Sequence, residues 1–357
     1  MNAAPGLREP AAQAAPAAGV THSQAGRRSL GRRFLSRPEV GSLVGAVAVF
    51  VMFFAVAEPF RNAASLSNVL YASSTIGIMA VGVSLLMIGG EFDLSAGVGV
   101  ITSSLAASMF AFEFSTNVWV GVLVALGVSL GVGFVNGWVL MRTRLPSFLV
   151  TLSTFLMLQG LNLAVTKLIT GNVATENISD MDGFDSARAV FASEVKIGDV
   201  SVKVTVFYWL LFVAIATWVL LRTRVGNWIF AVGGNADSAR AVGVPVKHVK
   251  IGLFMAVGGT AWFLGMHNLF AFNTVQSGAG IGNELTYIAA AVVGGCLLTG
   301  GFGSAVGAAI GAFIFGMANQ GIVYAGWNPD WLKFFIGVTL LAATLVNTWV
   351  RNRAARR

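Results

Sequence analysis

The residues of this chain whose types lend themselves to chemistry are few, and most are neutral amides. Asn68, Asn136, Asn162, Asn319 and Gln320 lie within long apolar stretches. Phe270, Phe272, Asn273 and Gln276 end another such stretch, with Gly278, Gly280 and Gly282 close behind. An amide both donates and accepts, and an aromatic face adds apolar contact, so the two together suit a sugar-like solute. The amides could equally link neighbouring helices. An aromatic belt at headgroup level accounts for Phe270 and Phe272 nearly as well. Glu91, Asp93 and Glu284 open apolar runs, where a carboxylate caps the free N–H groups of a first helical turn. Capping is the preferred reading there, and contact with a solute the alternative. Polar groups held within a bilayer usually face a cavity or a partner. Asn68, Asp93, Asn136, Asn273, Gln276, Glu284 and Asn319 are therefore the candidate pathway or gate residues.

No catalytic set accompanies them. The one cysteine, Cys296, lies in an apolar run, which excludes a disulfide framework and a thiolate metal site. His22, His248 and His267 lack metal-ligand spacing and a neighbouring nucleophile. No glycine-rich loop ends in Lys-Ser or Lys-Thr, so nucleotide phosphates are not cradled by that route. Gly301-Phe302-Gly303 has no strand before it and reads as helix packing. The expectation is a chain with no catalytic residues, no metal and no cofactor of its own.

The elements that must hold these residues follow from composition. Hydrophobic residues make up 56% of the 357, charged residues 11%, and the mean hydropathy is +0.76. A bilayer core of roughly 30 Å asks for about 20 apolar residues per helix, and the runs are too long for barrel strands. The spacing predicts an all-α polytopic membrane protein of about ten transmembrane helices: 41–57, 63–88, 95–112, 118–140, 147–168, 205–221, 249–272, 284–299, 304–325 and 331–350. With the N-terminus inside, the cytoplasmic segments hold 17 of the 23 Lys and Arg residues, including Arg142, Arg144, Arg222, Arg224, Arg240, Lys247 and Lys250. The outer segments keep Arg61, Lys167, Arg188, Lys196, Lys203 and Lys333. This is the positive-inside bias, and it puts both termini in the cytoplasm. The net charge of +8 is thus a product of topology; the basic residues are spread over helix ends, which excludes a nucleic-acid patch.

Residues 1–38 read as a disordered cytoplasmic tail, 39–350 as the transmembrane domain and 351–357 as a basic cytoplasmic tail. Two loops exceed simple turns. The outer loop 169–203 gathers six acids and ends in an alternating Val200-Ser201-Val202-Lys203-Val204, which reads as a small ordered cap with a hairpin. In the inner loop 222–248, Asn235 can cap a helix from Ala236 to Val242 that Gly243 ends, with Pro245 just beyond. Two turns do not stand alone, so this helix needs a partner surface or a lipid interface. Two inverted halves are also legible. Asp93-Leu94-Ser95 and Glu284-Leu285-Thr286 each precede a small-residue-rich span, and Asn136 and Asn319 each stand ten residues before a proline. Glycines four apart, Gly127 and Gly131, Gly133 and Gly137, Gly303, Gly307 and Gly311, are expected to let helices approach closely.

At the inner loop the sequence resembles a known family. Gly233-Gly234-Asn235-Ala236-Asp237-Ser238-Ala239-Arg240-Ala241-Val242-Gly243-Val244 is similar to the coupling loop of the permease subunits of monosaccharide ABC importers, the ribose, xylose, arabinose and galactose group. Gly89-Gly90-Glu91-Phe92-Asp93-Leu94-Ser95-Ala96-Gly97 resembles the family's Gly-Gly-x-Asp-Leu-Ser-x-Gly, with Glu91 where an apolar residue is usual. Ala289 to Gly295 and Thr299 to Ser304 resemble its Gly-Gly-rich segment, with Cys296-Leu297-Leu298 more apolar than the usual stretch. The likeness covers about 41–350. It implies a vitamin-B12-importer-like permease fold and a pathway formed with a second permease copy, as a homodimer. A separate ATP-binding cassette subunit would receive Asn235, Ala236, Ala239, Arg240 and Gly243. An extracytoplasmic solute-binding protein would deliver the solute in the bacterial inner membrane. Sibling readings are permeases for nucleosides, signal molecules or branched-chain amino acids. An ion-coupled secondary carrier is a further alternative, which would bury a titrating Asp or Glu near the midplane.

Overall fold

The computed structural model describes residues 38–355, Ser115 excepted. The tail expected over 1–38 lies outside the described residues apart from Pro38, which opens the first helix. Helix α1 (Pro38–Val56) leads through a 3-10 turn at Glu58–Arg61 into α2 (Ala63–Ile88), whose N-cap Asn62 accepts from Ala64 N–H at 3.1 Å. Then come α3 (Ala96–Glu113), α4 (Val118–Thr143) and α5 (Ser147–Thr170). The cap holds α6 (Phe184–Phe191) and the strands β1 (Glu194–Ile197) and β2 (Val200–Lys203). Helices α7 (Val204–Arg222), α8 (Arg224–Gly234), α9 (Ala236–Ala241), α10 (Val246–Phe272), α11 (Asn283–Val293), α12 (Ala305–Tyr324) and α13 (Trp331–Ala355) follow.

Among the described residues seven helices, α2, α3, α4, α5, α7, α10 and α12, are long and apolar enough to cross a membrane, which makes this an all-α polytopic membrane architecture. Helices α1 and α13 carry the shorter apolar stretches Gly41–Val56 and Trp331–Val346. The span expected at 284–299 needs correction. Helix α11 has only 11 residues, roughly 16 Å at 1.5 Å per residue, about half a bilayer core. The chain continues past Val293 as coil because Gly295, Gly300 and Gly301 sit at φ +95°, +78° and +72°, which no helix holds. Two smaller corrections belong here. Helix α8 fills much of the inner loop, where only one short helix was expected. Helix α13 runs to Ala355 and takes in most of the segment expected as a tail.

The packing is reciprocal. Helix α2 lies along α12 and α10 along α4; α3 touches α4 and α10, as α11 touches α12 and α2. The runs α2–α4 and α10–α12 thus pack alike, the first helix of each against the third of the other. Gly133 and Gly137 meet α10, and Gly307 and Gly311 meet the end of α11, as their spacing predicts. Gly127 and Gly131 meet nothing within 4 Å, because their face of α4 points away from the other helices.

Candidate functional site

Helices α2, α10, α11, α12 and α13 line a half-open cavity of about 400 Å³ at the end of the bundle that carries the cap. Its polar lining is Tyr71, Thr75, Asn268, Asn283, Thr286, Tyr287, Asn319 and Gln320; Phe272, Phe315, Leu332 and Ile336 supply apolar walls. No charged side chain lines it. Tyr71 and Thr75 are one turn apart on α2 and so share a face. The Asn319 carbonyl accepts from Gln320 Nε2 at 3.0 Å, which leaves the Asn319 amide N–H groups for a solute. Of the seven candidate pathway residues, Asn319 alone lines this cavity. Tyr71, Thr75, Asn268, Asn283 and Thr286 were missed, since a Tyr or Thr in an apolar run gives no one-dimensional signal.

The cap closes over this end. Phe191 stacks on Phe270 with ring centroids 5.8 Å apart and 12° between planes, and Phe184 adds a tilted contact. Residues 173–178 run along 273–277: Thr175 N–H donates to Val275 O at 3.0 Å, and Ile178 N–H to Asn273 O at 3.2 Å. Asn273 and Gln276 are thereby stitched to the cap through their backbones, Gln276 in a bridge with Ala174. Strands β1 and β2 pair Glu194 with Lys203, whose ammonium also forms an ion pair with the Glu194 carboxylate. That contact holds the Glu194 carboxyl below its ordinary range.

Of the other candidates, Asn68, Asp93 and Asn136 help hold helices to one another. Asn68 Nδ2 donates to Tyr324 Oη at 3.0 Å, tying α2 to α12. One Asp93 oxygen accepts from Ser95 N–H at 2.8 Å and from Ser95 Oγ at 2.5 Å. Ser95 Oγ accepts from Asn136 Nδ2 at 3.0 Å, and the Asn136 carbonyl accepts from Thr154 Oγ1 at 2.6 Å. This buried chain joins the start of α3 to α4 and α5, and Asp93 borders a separate pocket of about 20 Å³. Both Glu284 oxygens accept from Gly282 N–H at 3.1 Å, before the first turn of α11.

At the opposite, basic end stands helix α9. Asn235 caps it, accepting from Ser238 N–H at 2.8 Å, and Gly243 leaves it at φ +86°. Arg240 is exposed and pairs with Asp237 at 2.8 Å. Ala239 is buried at 3% exposure, whereas Val242 is 80% exposed. A cavity of about 670 Å³ beside α9 is lined by Arg144, Asp237, Arg240 and the buried ion pair of Lys250 with Glu91. Just above α9, three glycine pairs from the three quoted motifs converge. Gly301 N–H donates to Ile88 O at 2.8 Å. A Cβ on Gly233 would lie 1.8 Å from that same carbonyl, and one on Gly300 would lie 2.6 Å from Gly90 Cα.

Comparison with known proteins agrees with this architecture. The family model described as branched-chain amino acid transport system / permease component matches residues 65–344. The ribose import permease protein RbsC of Escherichia coli (strain K12) is 31% identical over 332 residues, covering 92% of this chain and 98% of that protein. The fructose import permease protein FrcC of Rhizobium meliloti is 28% identical, covering 90% and 88%. The galactose/methyl galactoside import permease protein MglC of Escherichia coli (strain K12) is 29% identical, covering 89% and 96%. No solved structure matches. The match to the family model runs from α2 into α13 and takes in the cavity, the glycine junction and α9, and on that ground the chain belongs to this family of transport-system permease components.

Proposed function

We propose that the chain is the membrane-spanning permease subunit of an ATP-driven, binding-protein-dependent importer of a simple sugar: a pentose, hexose or related polyol. The observation that carries the solute class is the cap-end cavity, walled by hydroxyls, amides and aromatic rings with no charged side chain. Neutral donors and acceptors match hydroxyl groups, whereas a zwitterionic amino acid in a closed site would need charge partners. The relatives named for ribose, fructose and galactose point the same way.

The rest of the reading follows from this assignment. The chain lies in the bacterial inner membrane with its basic end and both termini in the cytoplasm. Ten segments form a vitamin-B12-importer-like fold of two inverted halves, for which the reciprocal packing is the support. A separate ATP-binding subunit takes α9 at Asn235, Ala236, Arg240, Val242 and Gly243 and carries out the hydrolysis. A binding protein docks on the cap, and a second copy completes the pathway. The Gly90, Gly233 and Gly300 junction ties the end of α8, directly before α9, to the coil behind α11, whose first turns line the cavity. Motion of α9 thereby has a backbone route to the solute.

The test is uptake of labelled D-ribose, D-fructose and D-galactose by the native host against a strain deleted for this chain. ATP-dependent uptake of at least one sugar, undiminished by excess leucine, is the expected outcome. Loss of leucine uptake alone would replace the sugar reading with the amino-acid one.

A further inference from the structure

His267 is buried, and both of its ring nitrogens are engaged. Nδ1 lies 2.8 Å from the backbone carbonyl of Phe191, the last residue of α6. Nε2 lies 2.9 Å from the hydroxyl of Tyr71, a residue that lines the cap-end cavity. The chemistry of these partners fixes the protons. A carbonyl only accepts, so Nδ1 carries the hydrogen, and the Phe191 carbonyl, left open at the end of its helix, is satisfied by it. Neither partner is a carboxylate, so nothing offsets a charge on this buried ring, and the neutral form is held. In the neutral imidazole Nε2 is then the acceptor, and the Tyr71 O–H must donate to it. Tyr71 therefore shows the cavity lone pairs only.

We propose that His267 is a positioning residue: it holds the Tyr71 hydroxyl as an acceptor toward the solute, and the cap helix α6 sets that state through the Phe191 carbonyl. The inference rests on the sugar-permease reading above. It gives the cap a second role besides docking. Displacing α6 withdraws the carbonyl, releases the ring and lets Tyr71 donate, which changes its grip on a solute hydroxyl when the binding protein engages.

The test replaces the chromosomal copy, so that every partner is present, with Tyr71→Phe, His267→Gln, His267→Phe and the double Tyr71→Phe/His267→Phe. Uptake of labelled D-ribose, D-fructose and D-galactose is read per unit of folded membrane protein. Tyr71→Phe and His267→Phe should each lower the maximal rate about tenfold, the worth of one well-placed hydrogen bond, and should change the ratio among the sugars. The double variant should be no slower than either single, since both remove one interaction. His267→Gln, whose amide both donates and accepts, should restore most of the rate. A merely structural histidine would lower abundance, leave the sugar ratio unchanged and give additive losses, and that result overturns the proposal. So does a Tyr71→Phe rate within twofold of the unchanged chain. An unchanged chain that moves none of the three sugars overturns the sugar reading and this proposal with it.

Discussion

Asp93 and Asn319 show why a polar side chain in an apolar run has no single meaning. Asp93 stands just before a helix of small residues and Asn319 within one, yet the first is buried in a hydrogen-bonded chain and the second borders a cavity. What separates them is the direction each faces across the bundle, and direction depends on tertiary packing that a one-dimensional pattern does not carry. Asp93 supplies a test at this scale. Its carboxylate satisfies the Ser95 N–H just before the first turn of α3, so Asp93→Ala should cost about 1 kcal/mol, the usual worth of a cap. Asn136→Leu should cost a similar amount, about 1 kcal/mol, by leaving Ser95 and Thr154 without their partner. Thermal unfolding in detergent measures both, and uptake per folded molecule should stay near that of the unchanged chain. Uptake abolished at an unchanged Tm would show instead that these residues face the solute. Charge type was legible in the sequence, and so was the place of Asp93 and Glu284 beside the starts of α3 and α11. Tyr71 and Thr75 were not, because their spacing of four matters only once α2 is known to turn that face toward α12 and α13.

The elements were legible where local chemistry decides them. Asn235 and Gly243 bracket α9 in the sequence, and the structure places a helix at Ala236–Ala241 between them. The long helices match their hydropathy runs for the same reason. Helix α8 was not legible, because Arg224–Gly234 mixes polar and apolar residues and earns its place by burying Gly226, Ile229 and Val232 against neighbours. Helix α11 was overextended because Cys296-Leu297-Leu298 is apolar, although the glycines on either side turn the backbone left-handed. The glycine junction offers a matched pair of substitutions. A Cβ on Gly233 would lie 1.8 Å from Ile88 O, so Gly233→Ala must separate α8 from the end of α2. At Gly234 nothing lies within 4 Å of a Cβ. Under the coupling role proposed for α9, Gly233→Ala should lower uptake more than tenfold, about 1.4 kcal/mol or more of lost coupling, while ATP hydrolysis persists. Gly234→Ala should leave both within about twofold, well under 0.5 kcal/mol. Equal behaviour of the two variants in a reconstituted ATPase and uptake assay would remove the junction from the coupling route.

Across the whole molecule the two ends differ in charge. The cap end holds a neutral cavity; at the basic end Glu91, in the loop after α2, is joined to Lys250 near the start of α10 by an ion pair only 10% and 15% exposed. The pair therefore clasps the loop after α2 to α10. A buried ion pair adds little net stability, because desolvation offsets most of the attraction, but removing one partner leaves a charge stranded. Lys250→Met should accordingly destabilise the protein by about 3 kcal/mol. Glu91→Leu/Lys250→Met, with two apolar residues at the same place, should recover most of that loss. If the pair is a clasp on the basic end, the double variant should also hydrolyse ATP faster in the absence of solute, because nothing then holds this end shut between cycles. A double variant as stable as the unchanged chain and equally dependent on solute would reduce the pair to packing. A double variant as unstable as Lys250→Met would mean that the charges themselves, rather than the space they fill, hold the halves together, since two well-fitted apolar side chains remove the stranded charge but keep the contact between α10 and the loop after α2.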